Sequence, residues 1–246
     1  MNRVSDDILF KVEKPARYIG GELNEIIKDP KEVDIRFAFC FPDVYEVGMS
    51  HLGSRILYHT INLREDTYCE RVFAPWPDME EQLRKNNISL YSLETKTPLK
   101  EFNIIGFTLQ YEMSYTNILN MLDMSGVTIR AEERGEDEPL VMAGGPCAYN
   151  PEPLVGIVDF FEIGEGEEMM DDVLEVDLHG RIGETAVVLQ VLDGLLQSVD
   201  GVAVLREHRI LVTQFGVHGR GVPVVGELVL GGVAVFVHPL GEVDDR

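Results

Sequence analysis

Ile35-Arg36-Phe37-Ala38-Phe39-Cys40-Phe41 is a nearly unbroken apolar and aromatic run. A strand buried on both faces reads this way, whereas a strand with one wet face alternates. The run predicts a central parallel strand. Downstream, Ser50 stands where it would cap a helix carrying Leu52, Ile56, Leu57 and Ile61 on one face. A second strand is expected within Leu63 to Phe73. Pro77-Asp78-Met79-Glu80-Glu81-Gln82-Leu83 opens another helix, with proline in the tolerated first turn. Ile88 to Leu93 predicts a short strand and Phe102 to Leu109 a core strand. Tyr115 to Met124 predicts a helix with apolar Ile118, Leu119, Met121 and Leu122. Arg130 to Glu138 reads as a charged loop, and two further strands end at Ala143 and Ile163. Strands alternating with helices of this length predict an α/β fold built on a doubly wound parallel sheet. Right-handed crossovers then bring the carboxyl ends of its strands to one side.

Residues 1–31 form a lead-in, with a short helix expected over Glu22 to Lys28. The α/β domain is expected to span 32–175. Beyond it the composition changes. No Lys follows Lys100, no Tyr follows Tyr149, no Met follows Met170, and four of the six His lie after residue 175. This Val/Gly-rich tail, 176–246, reads either as a small β-rich segment or as frame-altered sequence. Glu184 to Val199 predicts a helix and Gly201 to Phe236 several Gly-punctuated strands.

The chain has 246 residues and a formal net charge of −22. That charge opposes a non-specific grip on nucleic acid and on an anionic membrane surface. Val222 to Pro239 is the most apolar stretch, but Glu227, Gly231 and Gly232 break it, so no membrane span is expected. Cys40, Cys69 and Cys147 are odd in number and widely spaced, which predicts a reducing cytoplasm and no disulfide framework. Met1 to Pro15 lacks the apolar core of a signal peptide. No CxxC or CxxxCxxC occurs, so no metal site is expected on the chain.

Four segments at strand ends are candidates for ligand contact, because ligands of open α/β sheets bind outside the carboxyl ends of the strands. The first holds Pro42, Asp43, Tyr45, Glu46, Val47, Gly48, Met49, Ser50 and His51, with Gly48 and Gly53 allowing a tight loop. It is neither GxGxxG nor a phosphate loop, which disfavours a nicotinamide or ATP site. The second holds Thr108, Leu109, Gln110, Tyr111, Glu112 and Ser114. Neutral amides and hydroxyls there can donate and accept, and tyrosine adds a flat apolar face. Ser114 or Thr116 serves equally well as an ordinary helix cap. The third holds Gly144, Gly145, Pro146 and Asn150. Paired glycines allow a ligand to lie against backbone, and Cys147 beside them reads as a quiet thiol without a basic partner. The fourth is Gly164, Glu165, Gly166 and Glu167, where carboxylates suit a helix N-terminus. His51 reads as a hydrogen-bonded structural residue. No catalytic residue is assigned.

With these segments assembled, residues 12 to about 172 resemble the N-terminal part of a family of B12-binding radical SAM proteins. The matching runs are Glu13 to Glu22, Phe39 to Gly53, Phe73 to Glu80, Gly106 to Glu112 and Ala143 to Pro146. Ile163-Gly164-Glu165-Gly166-Glu167 is shared more widely among cobalamin-linked radical SAM enzymes. The resemblance implies a Rossmann-like, flavodoxin-like domain that holds cobalamin without a histidine on cobalt. Met49 indeed stands where a base-on D-x-H-x-x-G loop has its aspartate. The resemblance also implies a partner, a radical SAM barrel whose CxxxCxxC binds a [4Fe-4S] cluster and cleaves S-adenosylmethionine. The chain lacks that motif, so neither cluster nor S-adenosylmethionine is expected on it. The alternative is a non-catalytic regulatory or interaction module. A receiver would need an aspartate after the central strand, where Thr108 and Leu109 stand instead.

Overall fold

The computed structural model describes residues 4–135, 137–164, 166–167, 169–171 and 173–174, and the backbone of four strands beyond them. The chain divides into two compact units, Met1–Val158 and Asp159–Arg246. The first unit opens with a single helical turn, α1 (Asp6–Leu9). Its strands are β1 (Ile35–Phe41), β2 (Thr67–Phe73), β3 (Ile104–Thr108) and β4 (Leu140–Gly144). They pair in parallel in the order β2-β1-β3-β4. Between them run α2 (Tyr45–Ser50), α3 (Leu52–Leu63), α4 (Pro77–Lys85) and α5 (Tyr115–Ser125).

The chain steps outward from β1 to β2, then crosses back over β1 to β3 and on to β4. Right-handed crossovers in opposite directions place the connecting helices on opposite faces. The contacts agree, since Arg84 of α4 donates to Asp123 and Asn120 of α5 at 2.8 and 2.7 Å, so these two helices lie side by side. Helices on both faces explain why every residue of β1 but Arg36 is buried. The fold is a doubly wound, Rossmann-like α/β sheet, and its strand order begins as the flavodoxin-like order does.

Several elements differ from the sequence expectation. α3 buries Ser54, Tyr58, Ile61 and Asn62, leaving Leu52 and Ile56 exposed. Asn62 explains the rotation, because its side chain exchanges two 3.0 Å hydrogen bonds with the Cys69 backbone of β2. Ser50 ends α2, and His51 caps α3 in its place. Glu22 to Lys28 is not helical. There the Ile26 amide goes to the Tyr58 hydroxyl at 2.8 Å, and the Lys28 ammonium goes to the Arg64 and Thr67 carbonyls. The lead-in is a strap tied down by side chains. Ile88 to Leu93 makes one isolated bridge, Tyr91 to Pro98, rather than a strand. Its amides are spent singly, Leu90 on the Met124 carbonyl and Leu93 on the Arg71 carbonyl.

In the second unit β5 (Phe160–Ile163) pairs in parallel with β7 (Arg209–Gln214), and β6 (Gly201–Arg206) pairs antiparallel with β7. A separate hairpin joins β8 (Val224–Leu228) to β9 (Val235–Pro239). Strands thus occur where the Gly-punctuated stretch predicts them. The helix expected over Glu184 to Val199 lies outside the described residues.

Candidate functional site

The order β2-β1-β3-β4 reverses direction at β1, because β1 connects to β2 on one side and β3 lies on the other. The crevice outside the carboxyl ends of β1 and β3 is the switch point of the sheet, where loops diverge and ligands find room. Three of the four candidate segments meet there.

Pro42 and Asp43 follow β1. The Tyr111 hydroxyl donates to Asp43 Oδ2 at 2.9 Å, and Asn117 Nδ2 donates to the Pro42 carbonyl at 2.9 Å. These two bonds tie the β1 loop to the loop and helix after β3. Gln110 Nε2 donates to Thr108 Oγ1 at 2.6 Å, so the Gln110 carbonyl oxygen is left to accept. From the β4 loop, the Cys147 amide donates to the Leu109 carbonyl at 3.1 Å, and the Leu109 amide donates to the Gly144 carbonyl at 2.7 Å. Leu109 is fully buried, so its backbone joins two loops and its side chain belongs to the core. Gly145 has φ 101°, and a Cβ on it would lie 3.1 Å from the Leu109 carbonyl oxygen. The glycine is therefore required by the loop's own packing, whatever lies above it. Pro146 and Asn150 are exposed on the same loop.

Exposed apolar side chains crown these loops. Met113 is 84% and Tyr149 66% exposed, and Tyr111 is exposed beside them. Tyr115, the first residue of α5, buries its hydroxyl without a partner among the described residues. Burial, with the Glu112 carboxylate adding to it, pushes the Cys147 thiol up. Ser114 sits before α5 but makes no capping bond; its hydroxyl donates to the Tyr111 carbonyl at 2.8 Å. Glu112 is exposed.

The rest of the first segment forms α2 rather than an open loop. Gly48 packs under the rings of Phe73 and Phe41, so it serves the core. His51 Nδ1 accepts from the Ser54 amide at 3.1 Å and lies 2.9 Å from the Ser54 hydroxyl, with its ring 5.4 Å from that of Phe41. It has the structural role read from the sequence. Val47 and Ser50 are exposed on α2, and the Ser50 hydroxyl donates to the Val47 carbonyl. Tyr45 donates to Glu22 of the strap, and Met49 Sδ lies 3.5 Å from Arg71 Nη1. The fourth segment follows β5 in the second unit. Gly164 bends, Gly166 and Glu167 are helical, and Glu165 lies outside the described residues.

Glu46 latches the strap to α2. Arg17 Nη2 lies 2.9 Å and Lys14 Nζ 3.2 Å from its Oε1. The Arg17 hydrogen bond holds the Glu46 carboxyl down at about 2, against an ordinary 4.5. Because the folded pKa is depressed, the latch is intact above about pH 4.5 and is lost as pH falls through about 2. The Glu46 side chain is 45% exposed, so solvent screening limits the contribution to roughly 1 kcal/mol or less. Urea midpoints at pH 5 and pH 2.5 check this. Glu46→Gln should reduce the acid-induced loss, and an unchanged loss would assign the acid limb to other carboxylates.

Tyr115 and Asn117 close the polar, aromatic-rich stretch of the second segment, whereas the arginines of β1 and β2 were not singled out in the sequence. Arg36 inside an apolar run was the available signal, since a charge there must find a buried partner. Among the described residues no helix is long and apolar enough to cross a membrane.

Residues 53–192 match a family model described as "Radical SAM proteins, N-terminal". An uncharacterized protein of Methanocaldococcus jannaschii, MJ0966, is 26% identical over 148 residues, covering 58% of this chain and 28% of its own length. The chain thus spans little more than a quarter of that relative. No solved structure matches the chain. Since the family model covers more than half of the residues and its region takes in α3 through β5, the chain belongs to the radical SAM proteins and carries their N-terminal region.

Proposed function

We propose that residues 32–175 bind cobalamin and present it to a radical SAM barrel. The observation that carries this reading is the switch-point crevice, rimmed by neutral amides and hydroxyls and crowned by exposed Tyr111, Met113 and Tyr149. A corrin is broad and apolar on its faces, with amides around its edge. The exposed side chains suit the faces, and the Gln110 carbonyl suits the edge. Bound cobalamin would supply a cobalt centre for methyl or radical transfer. His51 is committed to the start of α3, so the reading has no histidine on cobalt. The [4Fe-4S] cluster and S-adenosylmethionine belong, in this reading, to the barrel of longer family members. Gly164, Glu165, Gly166 and Glu167 remain assigned to the cofactor on the family resemblance.

Met113→Glu combined with Tyr149→Glu tests the crevice. Both side chains are exposed, so the unfolding midpoint should not move, whereas charges against an apolar face should lower hydroxocobalamin affinity about tenfold or more. Unchanged affinity would overturn the assignment of this crevice.

A further inference from the structure

On the β2 side of β1, beside the strap, lies a buried cation. Arg71 of β2 has a side chain only 6% exposed. Its Nε donates to Glu94 Oε1 at 2.7 Å, its backbone amide donates to Glu94 Oε2 at 2.7 Å, and its guanidinium lies 4.3 Å over the Tyr58 ring. One edge and one face of the guanidinium are therefore fixed. On the outer edge, Nη1 meets only the Met49 sulfur, a weak acceptor, and Nη2 is buried with no acceptor among the described residues. That edge is the fork that takes carboxylate or phosphate oxygens in pairs.

Arg71 also lines a small cavity, together with Arg17, Tyr18, Tyr45, Phe73 and Tyr91. The strap supplies Arg17 and Tyr18, the start of α2 Tyr45, and the end of β2 Phe73. The hydroxyls are partly used. Tyr18 accepts from the Trp76 amide at 3.1 Å, Tyr91 reaches the Tyr18 carbonyl at 3.5 Å, and Tyr45 donates to Glu22. Nearby charges are Arg17, held by Glu46, and Glu22, whose carboxylate interacts favourably with Arg71.

We propose that this cavity receives a small oxyanion group, a carboxylate or a phosphoryl, on the outer edge of Arg71. A buried guanidinium already oriented by Glu94 and Tyr58 loses little freedom on binding, which favours an oxyanion that offers it a pair of oxygens. Glu22 is the strap's own carboxylate beside the site and competes with the ligand. The proposal stands on these contacts alone and is independent of cobalamin binding at the crevice.

Thermal unfolding of the full chain, titrated with sodium phosphate and separately with sodium acetate, tests it, with chloride holding ionic strength constant. The midpoint should rise saturably with at least one of them, and the arm that saturates at lower concentration identifies the preferred oxyanion. Arg71→Lys keeps a charge for Glu94 but loses the fork, and should weaken the apparent affinity about tenfold. Glu22→Gln, on the accessible strap, should tighten it several-fold. A midpoint that fails to saturate, or equal responses in the parent and in Glu22→Gln, would overturn the site and leave water as the partner of Arg71.

Discussion

Glu70→Ala should lower the unfolding free energy by about 3–5 kcal/mol, the cost of stripping one partner from a buried ion pair. The Glu70 side chain is fully buried in β2. One carboxylate oxygen accepts from Arg36 of β1. The other accepts from the Ser92 hydroxyl at 2.7 Å, the Thr95 hydroxyl at 2.6 Å and the Thr95 amide at 3.1 Å. Alanine would take an acceptor from a largely buried guanidinium, two hydroxyls and an amide at once. Glu46→Ala removes an exposed pair and should cost no more than about 1 kcal/mol. Urea unfolding of the two variants separates the cases. A Glu70 loss no larger than the Glu46 loss would mean that water satisfies the Arg36 side of the sheet.

Gly106→Ala should also destabilise, by about 1–3 kcal/mol. Gly106 lies in β3, and a Cβ on it would sit 2.4 Å from Phe37 Cζ and 3.5 Å from Met142 Cγ. Phe37 is 1% exposed and enclosed by the core, so the ring cannot swing out to make room. Alanine is favoured over glycine in the backbone by only about 0.5–1 kcal/mol, so the steric cost wins. An unchanged or raised urea midpoint would show that the Phe37 ring relocates freely.

How far the sequence could be read followed from how each element is buried. β1, β3 and β4 are covered on both faces, so their apolar runs stood out. β2 reads Thr67-Tyr68-Cys69-Glu70-Arg71-Val72-Phe73, and its two charges blurred the pattern because each is neutralised by a partner distant in sequence. Ile88 to Leu93 was apolar enough to suggest a strand, but burial does not require a ladder, and its amides found isolated carbonyls. On α3 the apolar residues misled, since Asn62 and Tyr58 face inward for their hydrogen bonds while Leu52 and Ile56 face out. Three site segments were legible as strand ends. Their cross-links through Asn117, Tyr111 and the Leu109 backbone were not, because hydrogen bonds between loops leave no periodic trace in sequence.

Cobalamin binding is read most directly as retention. Purified full chain is mixed with hydroxocobalamin, desalted, and the visible spectrum of the protein fraction is read. About one cobalamin per chain should be retained, with bands that lack a histidine-ligated cobalt and that His51→Ala leaves in place. A folded, monodisperse protein that emerges without cobalamin would contradict it.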